Sequence, residues 1–406
     1  MSEFRYANRA KNVVARTHTA MRPNQINLGG GFAFPGSLPD LSEVAAEAAR
    51  EHRVECLQYG PLFGLSELRD AIASFLKEDG VLADRENILV TSGAKNALDL
   101  VLKVFIEKGD SVIVSNPSYA TGIQIIRNHE ATFVDIDMDN EGLRVDQLER
   151  ELNRLREHGS VIPKLLYDVP DFHNPTGITL SAVRRQKLVD LAEQFDFVIV
   201  EDDPYRRLRF TGKTVPPIKS LDETGRVIGL GTFSKIFAPG IRLGWAIGDP
   251  AIIGCLAAFK SESGASPLIQ RIALEQLRSG GIKRHIGEFI PILESHKNAM
   301  TRALQEYLPE VKFREPHGGY YYWIELPERI DADEVTTIAE QEGVTIFSGR
   351  GYFANKPPGN FFRLSFAMST EEQIETGVCK LGEIVNRIDN SSSRTAFSPS
   401  KQQHFD

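Results

Sequence analysis

Apolar residues in the middle of this chain come in short β-branched or leucine-rich runs, each closed by turn residues and separated by longer stretches of helical period. That rhythm predicts an α/β fold, a mostly parallel sheet covered by helices. Seven runs read as strands, at residues 88–90, 112–114, 132–136, 165–169, 197–200, 227–230 and 243–247. Between them, residues 94–105 place Leu98, Val101, Leu102 and Phe105 on one stripe, and residues 181–194 open on a serine suited to cap a helix. Beyond residue 285 the pattern becomes a helix at 284–307, a strand at 319–325, a helix at 332–342, a strand at 361–366 and a helix at 371–387. This predicts a second, smaller α+β domain. The expected division is an N-terminal segment 1–45 packed on the small domain, a large domain 46–285, a small domain 286–388 and a disordered polar tail 389–406.

Ligands in open α/β sheets bind beyond the carboxyl ends of the strands, so the strand exits matter most. Here they are polar: Thr91-Ser92-Gly93, Asn116-Pro117-Ser118-Tyr119, Asn174-Pro175-Thr176-Gly177, Glu201-Asp202-Asp203-Pro204-Tyr205 and Gly231-Thr232-Phe233-Ser234-Lys235. One sheet edge is therefore expected to collect hydroxyls, an amide, a carboxylate, a phenol and an amine.

Composition narrows the partner. With 41% hydrophobic and 25% charged residues, the 406-residue chain falls outside the disordered, collagenous and membrane classes. A formal charge of −8 argues against nucleic acid and anionic lipid and makes a small molecule the expected partner. Cys56, Cys255 and Cys379 form no CxxC pair, and their odd number suits a reducing compartment. The opening MSEFRYANRAKNVVARTHTAM has no apolar core of a secretory signal; mitochondrial import ranks below a cytoplasmic location. The apolar stretch 252–259 is well short of the roughly 20 residues that span a bilayer, so no membrane is expected. The nine histidines show no metal-ligand spacing, and no metal is expected.

In GTFSKIFAPGIRLGW, Thr232 and Ser234 offer hydroxyls, Arg242 a fixed cation and Lys235 an amine. Hydroxyl, hydroxyl and guanidinium suit a phosphate. Lys235 is suited either to a further phosphate clamp or, with its pKa lowered by burial, to condensation with an aldehyde. Pyridoxal 5′-phosphate (PLP) has both groups, although an ordinary surface loop is the plainer reading of this segment alone. Asp202, at the end of an apolar strand, can pair with a pyridine nitrogen and keep it protonated, whereas a Mg²⁺ site or a helix cap is the commoner use of Glu201-Asp202-Asp203. Tyr205 and Asn174 are each placed to hydrogen-bond a ring oxygen. The turn Ser92-Gly93-Ala94-Lys95 leads from strand to helix and points amides at an anion, or is a generic connection. Tyr119 can lie flat on an aromatic ring or pack in the core. Alternation in FFRLSFA puts Phe362, Leu364 and Phe366 on one face and Arg363 and Ser365 on the other; a strand arginine suits an α-carboxylate or a surface ion pair.

The motifs LQYGPLFGLSELR, VTSGAKNALDLV, NPSYATG, PDFHNPTG, VEDDPYRRLRF, GTFSKIFAPGIRLGW, PHGGYYYWIEL and FFRLSFA, in this order over residues 28–387, resemble fold-type I PLP-dependent aminotransferases of class I/II. The likeness is strongest to the branch containing 2-aminoadipate and kynurenine aminotransferases. This resemblance implies that Lys235 forms the internal aldimine, Asp202 pairs with the pyridine nitrogen, and Asn174 and Tyr205 hold the ring hydroxyl. It implies that Thr232, Ser234, Arg242 and the turn of Ser92, Gly93, Ala94 and Lys95 hold phosphate, and that Tyr119 stacks on the ring. It further implies that Arg363 binds the substrate carboxylate, with Gly30, Asn174 and Tyr119 beside it. A homodimer follows, with sites at the interface and Tyr59 reaching the neighbour's phosphate. The implied activity is ping-pong transfer of an amino group from an α-amino acid to a 2-oxo acid. Its rivals are another PLP reaction on the same scaffold (lyase, decarboxylase, cyclase or oxidase) and a non-catalytic sensor. Ala94-Lys95 stands where relatives often carry a hydroxyl and a glutamine, leaving the amides and Lys95 to compensate; His173, Phe32 and Phe34 are also less usual.

Overall fold

The structure, a computed structural model, describes residues 5–10, 25–261 and 264–396. Most of the segment read for a leader and the tail from residue 397 lie outside these residues. The strands in chain order are β1 (Ile26–Asn27), β2 (Ile88–Thr91), β3 (Ser111–Asn116), β4 (Thr132–Asp139), β5 (Gly142–Leu143), β6 (Leu165–Asp168) and β7 (Val198–Asp203). They continue as β8 (Val227–Thr232), β9 (Gly244–Ile247), β10 (Tyr321–Glu325), β11 (Val344–Thr345), β12 (Phe347–Ser348) and β13 (Phe361–Ser365).

The large sheet runs β2-β9-β8-β7-β6-β3-β4-β5. Strands β4, β3, β6, β7 and β8 are mutually parallel, whereas β9 runs against β8 and β2. All seven expected strands form, and an eighth, β5, folds back on β4 at Met138–Leu143 and Asp139–Gly142. The count of seven is thus corrected to eight: a two-residue strand is too short to show a period. Strands β2, β6, β8 and β9 are buried along their whole length, as a sheet covered on both faces requires. Because β2, β3, β6, β7 and β8 point the same way, their polar exits meet at one edge.

Two small sheets lie later in the chain. One is β10-β13-β12, and in the other β1 pairs with β11, Ile26 opposite Val344. Helix Gly281–Tyr307 packs along the last helix, Glu371–Ala396. That last helix corrects the expected disorder from residue 389: it runs on to Ala396. Ile388 is buried, and Arg329 pairs with Asp389, so tertiary contacts carry the helix through a stretch whose composition reads as unstructured. Ser181 stands at the N-cap of helix Ala182–Phe195, but its hydroxyl makes no capping bond. Among the described residues, no helix is long and apolar enough to cross a membrane, and no cluster of side chains is arranged to hold a metal.

Candidate active site

Asp202 lies on β7 opposite Leu230 of β8, with its side chain buried. Tyr167, from β6, donates a 2.8 Å hydrogen bond to its Oδ2, while its Oδ1 has no partner. Burial pushes the carboxyl up to about 7; the Tyr167 bond and the Lys235 charge oppose that shift, and Asp203 adds to it. A buried carboxylate oxygen without a donor is costly. A ligand that brings an N–H and a positive charge to Oδ1 relieves both the desolvation and the missing bond, which is the chemistry of a protonated pyridine.

Lys235 sits in the turn after β8. Its Nζ donates to the carbonyl of Gly31, and its own carbonyl accepts a 2.8 Å bond from the Tyr320 hydroxyl. Burial lowers the pKa of the amine, and the Arg363, Lys95 and Arg242 charges lower it further, against the opposing effect of Tyr321. A less basic amine is available as a nucleophile near neutral pH.

An anion cradle closes the other end. Gly93 precedes helix Ala94–Phe105 with φ 108°, a conformation that favours glycine, and a methyl there would come within 3.1 Å of Arg242 Nη2. The first N–H groups of that helix have no intrahelical acceptor and face outward from its N-terminus. Arg242 reaches the Ser92 carbonyl at 3.1 Å and the Ser234 hydroxyl at 3.4 Å, and Thr232 Oγ1 donates to Ser234 Oγ at 3.0 Å. Lys95 is solvent-exposed on the first turn of that helix, and desolvation together with Arg242 lowers its pKa. Two hydroxyls and a guanidinium are thus joined beside a helix N-terminus and the amine of Lys95. The observed contact of Arg242 with Ser92 is to its backbone carbonyl.

Between these ends stand the remaining residues. Asn174, in a turn with a cis bond to Pro175, accepts a 2.9 Å bond from Arg363 Nη1 on its Oδ1. Arg363 also donates to the Gly29 carbonyl, and its Nε is buried without a partner. Both faces of β13 are buried, so Arg363 is no surface ion pair. Its guanidinium lies 4.0 Å from the Tyr321 ring centroid, 5.2 Å from Tyr352 and 5.5 Å from Phe347. Tyr205 is buried and donates a 3.2 Å bond to the Tyr321 hydroxyl. Tyr119 is the N-cap residue of helix Ala120–Asn128, with its phenol pushed up by burial. The Gly30 N–H goes to Asn27 Oδ1 at 2.8 Å, so that donor is already committed. Tyr59 is 83% exposed, apart from the cluster around Lys235 and Arg363.

The structure adds residues that the sequence did not single out. Tyr167 reads as core because it lies in the apolar run of β6. Gly31 shows only as part of a glycine triplet, and Tyr321 only as part of a tyrosine run equally suited to packing. His173 is buried and bonds Ser115 Oγ at 3.1 Å and Thr176 Oγ1 at 3.0 Å; burial pushes its pKa down to about 3, so it props the Asn174 turn as a neutral ring.

A doubly wound sheet whose parallel strands deliver a part-buried amine, a buried carboxylate and a strand-to-helix turn beside Arg242 to one edge defines an enzyme of amine chemistry. A sequence model of aminotransferase class I and II matches residues 23–381, and the chain belongs to that family. It is 39% identical over 366 residues to aromatic-amino-acid aminotransferase 1 of Thermococcus litoralis, covering 89% of this chain and 88% of that protein. It superposes on kynurenine aminotransferase of Pyrococcus horikoshii, solved in complex with PMP, with a TM-score of 0.86 at 36% identity, covering 90% of this chain and 91% of that one. For the α-aminoadipate aminotransferase LysN of Thermus thermophilus, solved with N-(5′-phosphopyridoxyl)-L-leucine, the TM-score is 0.85 at 31% identity, covering 91% and 94%.

Proposed function

We propose that this aminotransferase uses pyridoxal 5′-phosphate, held between Asp202 and the Gly93 cradle, to move the amino group of an α-amino acid to a 2-oxo acid. The observation that carries this reading is the buried, unpartnered Oδ1 of Asp202 on the same sheet edge as the part-buried amine of Lys235. When bound, the cofactor supplies an aldehyde and an electron-withdrawing ring. Asp202 would keep the ring nitrogen protonated, Asn174 Nδ2 would donate to the ring oxygen with Tyr205 beside it, its own hydroxyl proton going to Tyr321, and Tyr119 would stack on the ring. Ser92, Gly93, Ala94, Lys95, Thr232, Ser234 and Arg242 hold the phosphate.

Arg363 grips the substrate carboxylate. It has five N–H donors, and Asn174 and Gly29 take two, so a bidentate pair remains free to form. That grip would turn the Cα–H bond toward Lys235, whose Nζ would take the proton and hold it for return. The aromatic box of Tyr321, Tyr352 and Phe347 around Arg363, with Phe32 nearby in the chain entry, favours amino acids with apolar or aromatic side chains, in keeping with the relatives' names.

Residues 46–285 form the cofactor-binding domain and 286–388 the smaller domain, which contributes Arg363. The working unit is a homodimer. Val54, Leu57 and Tyr59 are 80%, 74% and 83% exposed on and just after the short helix Arg53–Leu57, a patch that a second copy covers. The free cysteines Cys56, Cys255 and Cys379 suit the reducing cytoplasm.

The test is Lys235→Ala together with a donor panel. The variant loses both the visible chromophore of the bound cofactor and turnover, while the parent converts an amino acid and 2-oxoglutarate or pyruvate to a new 2-oxo acid and amino acid. A variant keeping chromophore and turnover, or a parent yielding ammonia or an amine instead, overturns the reading.

A further inference from the structure

Tyr321 enters the site from β10 with a hydroxyl that no assigned role uses. A methyl group at Gly31 would fall 2.0 Å from that hydroxyl and 3.6 Å from Lys235 Nζ, so phenol and amine flank one small space beside the backbone of Gly31. The phenol is orientated by two residues. Tyr205 donates to its oxygen at 3.2 Å, the Arg363 guanidinium lies 4.0 Å from its ring centroid, and Tyr205 packs edge-on against the ring at 5.8 Å. A phenol whose oxygen accepts a hydrogen bond, whose ring faces a guanidinium and which shares the space beside Gly31 with an amine is set up to carry negative charge.

We propose that Tyr321 is the proton acceptor and counter-ion of the Lys235 amine. This rests on the reading of Lys235 as the cofactor lysine and goes beyond it. The amine, tethered to Gly31 in this structure, swings on its flexible stem toward the phenol. One Nζ–H bond breaks as an Oη–H bond forms, and the pair passes from ammonium and phenolate to amine and phenol with no change in net charge. Tyr205 and Arg363 hold the charge on the oxygen while the lysine carries the proton.

Groups facing the pair from the surrounding elements act in the same sense. Burial opposes ionisation of Tyr321, but Arg363, Lys235 and the Tyr205 bond outweigh it and lower its pKa. Tyr205 is shifted the other way, up, by burial and by Tyr321 itself, which keeps it the donor of that bond. Tyr119 and Tyr320 also sense Tyr321, and both are neutral phenols raised by burial. On the lysine side stand Asp202, Lys95 and Arg242, of which only Asp202 is acidic.

The test uses the cofactor-loaded enzyme and follows the pH midpoint of its visible absorbance, which reports the proton on the Lys235 nitrogen. Tyr321→Phe removes the counter-ion, so the midpoint falls by about one pH unit, a tenfold change in proton affinity. The kcat falls about tenfold or more, with KM for the amino acid changing far less. Gly31→Ala keeps the phenol but displaces it, and lowers the midpoint in the same direction; it decides the matter if Tyr321→Phe does not load. An unmoved midpoint in a loaded variant overturns the role of Tyr321 alone. A parent enzyme without the visible band overturns the cofactor reading and this inference with it.

Discussion

Asp202 holds two oxygens in unequal company, one bonded to Tyr167 and one bare, and that inequality sets a pH signature. Its carboxyl is raised from 3.8 to about 7, and Asp168 to about 6, mainly by burial. A raised carboxyl binds its proton more tightly folded than unfolded. Its contribution is present below about 3.8 and is lost as pH rises through its folded value. Because the lowered His173 acts in the opposite sense, the signature is read as a difference: from pH 4 to 7 the urea midpoint of the cofactor-free parent falls relative to that of Asp202→Asn, and the variant retains cofactor more weakly. An equally steep slope in the variant contradicts this account. The polar strand-end residues were legible because charge or amide at the end of an apolar run is a local signal. Tyr167 was not, since nothing in Leu165-Leu166-Tyr167 tells which neighbour its hydroxyl meets. Nor was the commitment of the Gly30 N–H, which depends on the side chain of Asn27 folding back.

The strand pair β8–β9 carries the catalytic turn, and its fit depends on one missing side chain. Gly231 lies opposite Trp245, and a methyl at Gly231 would fall 2.1 Å from the indole, which is itself wedged against Phe233 at 4.9 Å and Phe75 at 6.5 Å. Gly231→Ala therefore overpacks this layer and is expected to cost about 1–3 kcal/mol in denaturant unfolding. It also shifts the Thr232–Lys235 turn, so cofactor affinity falls with stability; a variant as stable as the parent contradicts the packing argument. At this scale the long strands and helices followed from period alone. Strands β5, β11 and β12, of two residues each, are too short to show a period; β5 turns back on β4, whereas β11 pairs with β1 from the start of the chain. The last turns of the final helix likewise depend on Arg329 and on core contacts of Ile388, which composition cannot show.

At the scale of the whole molecule, the site is assembled from pieces far apart in sequence, and Tyr59 is the piece that finds no place within one chain. If it serves the neighbouring copy, the protein sediments at twice its 45.2 kDa chain mass. Tyr59→Phe, a change at an exposed position, then weakens cofactor binding about tenfold through loss of a charge-assisted hydrogen bond. A monomer, or an unchanged affinity, contradicts that arrangement. Within the chain, the short strap of Gly29, Gly30 and Gly31 leaves β1 and touches both ends of the chemistry: the Gly29 carbonyl accepts from Arg363 and the Gly31 carbonyl from Lys235. One length of backbone thus serves the acid-gripping and proton-moving halves of the machine together, and a mutation that retunes either disturbs both. A change of donor that reshapes this strap therefore moves the carboxylate grip and the amine at once.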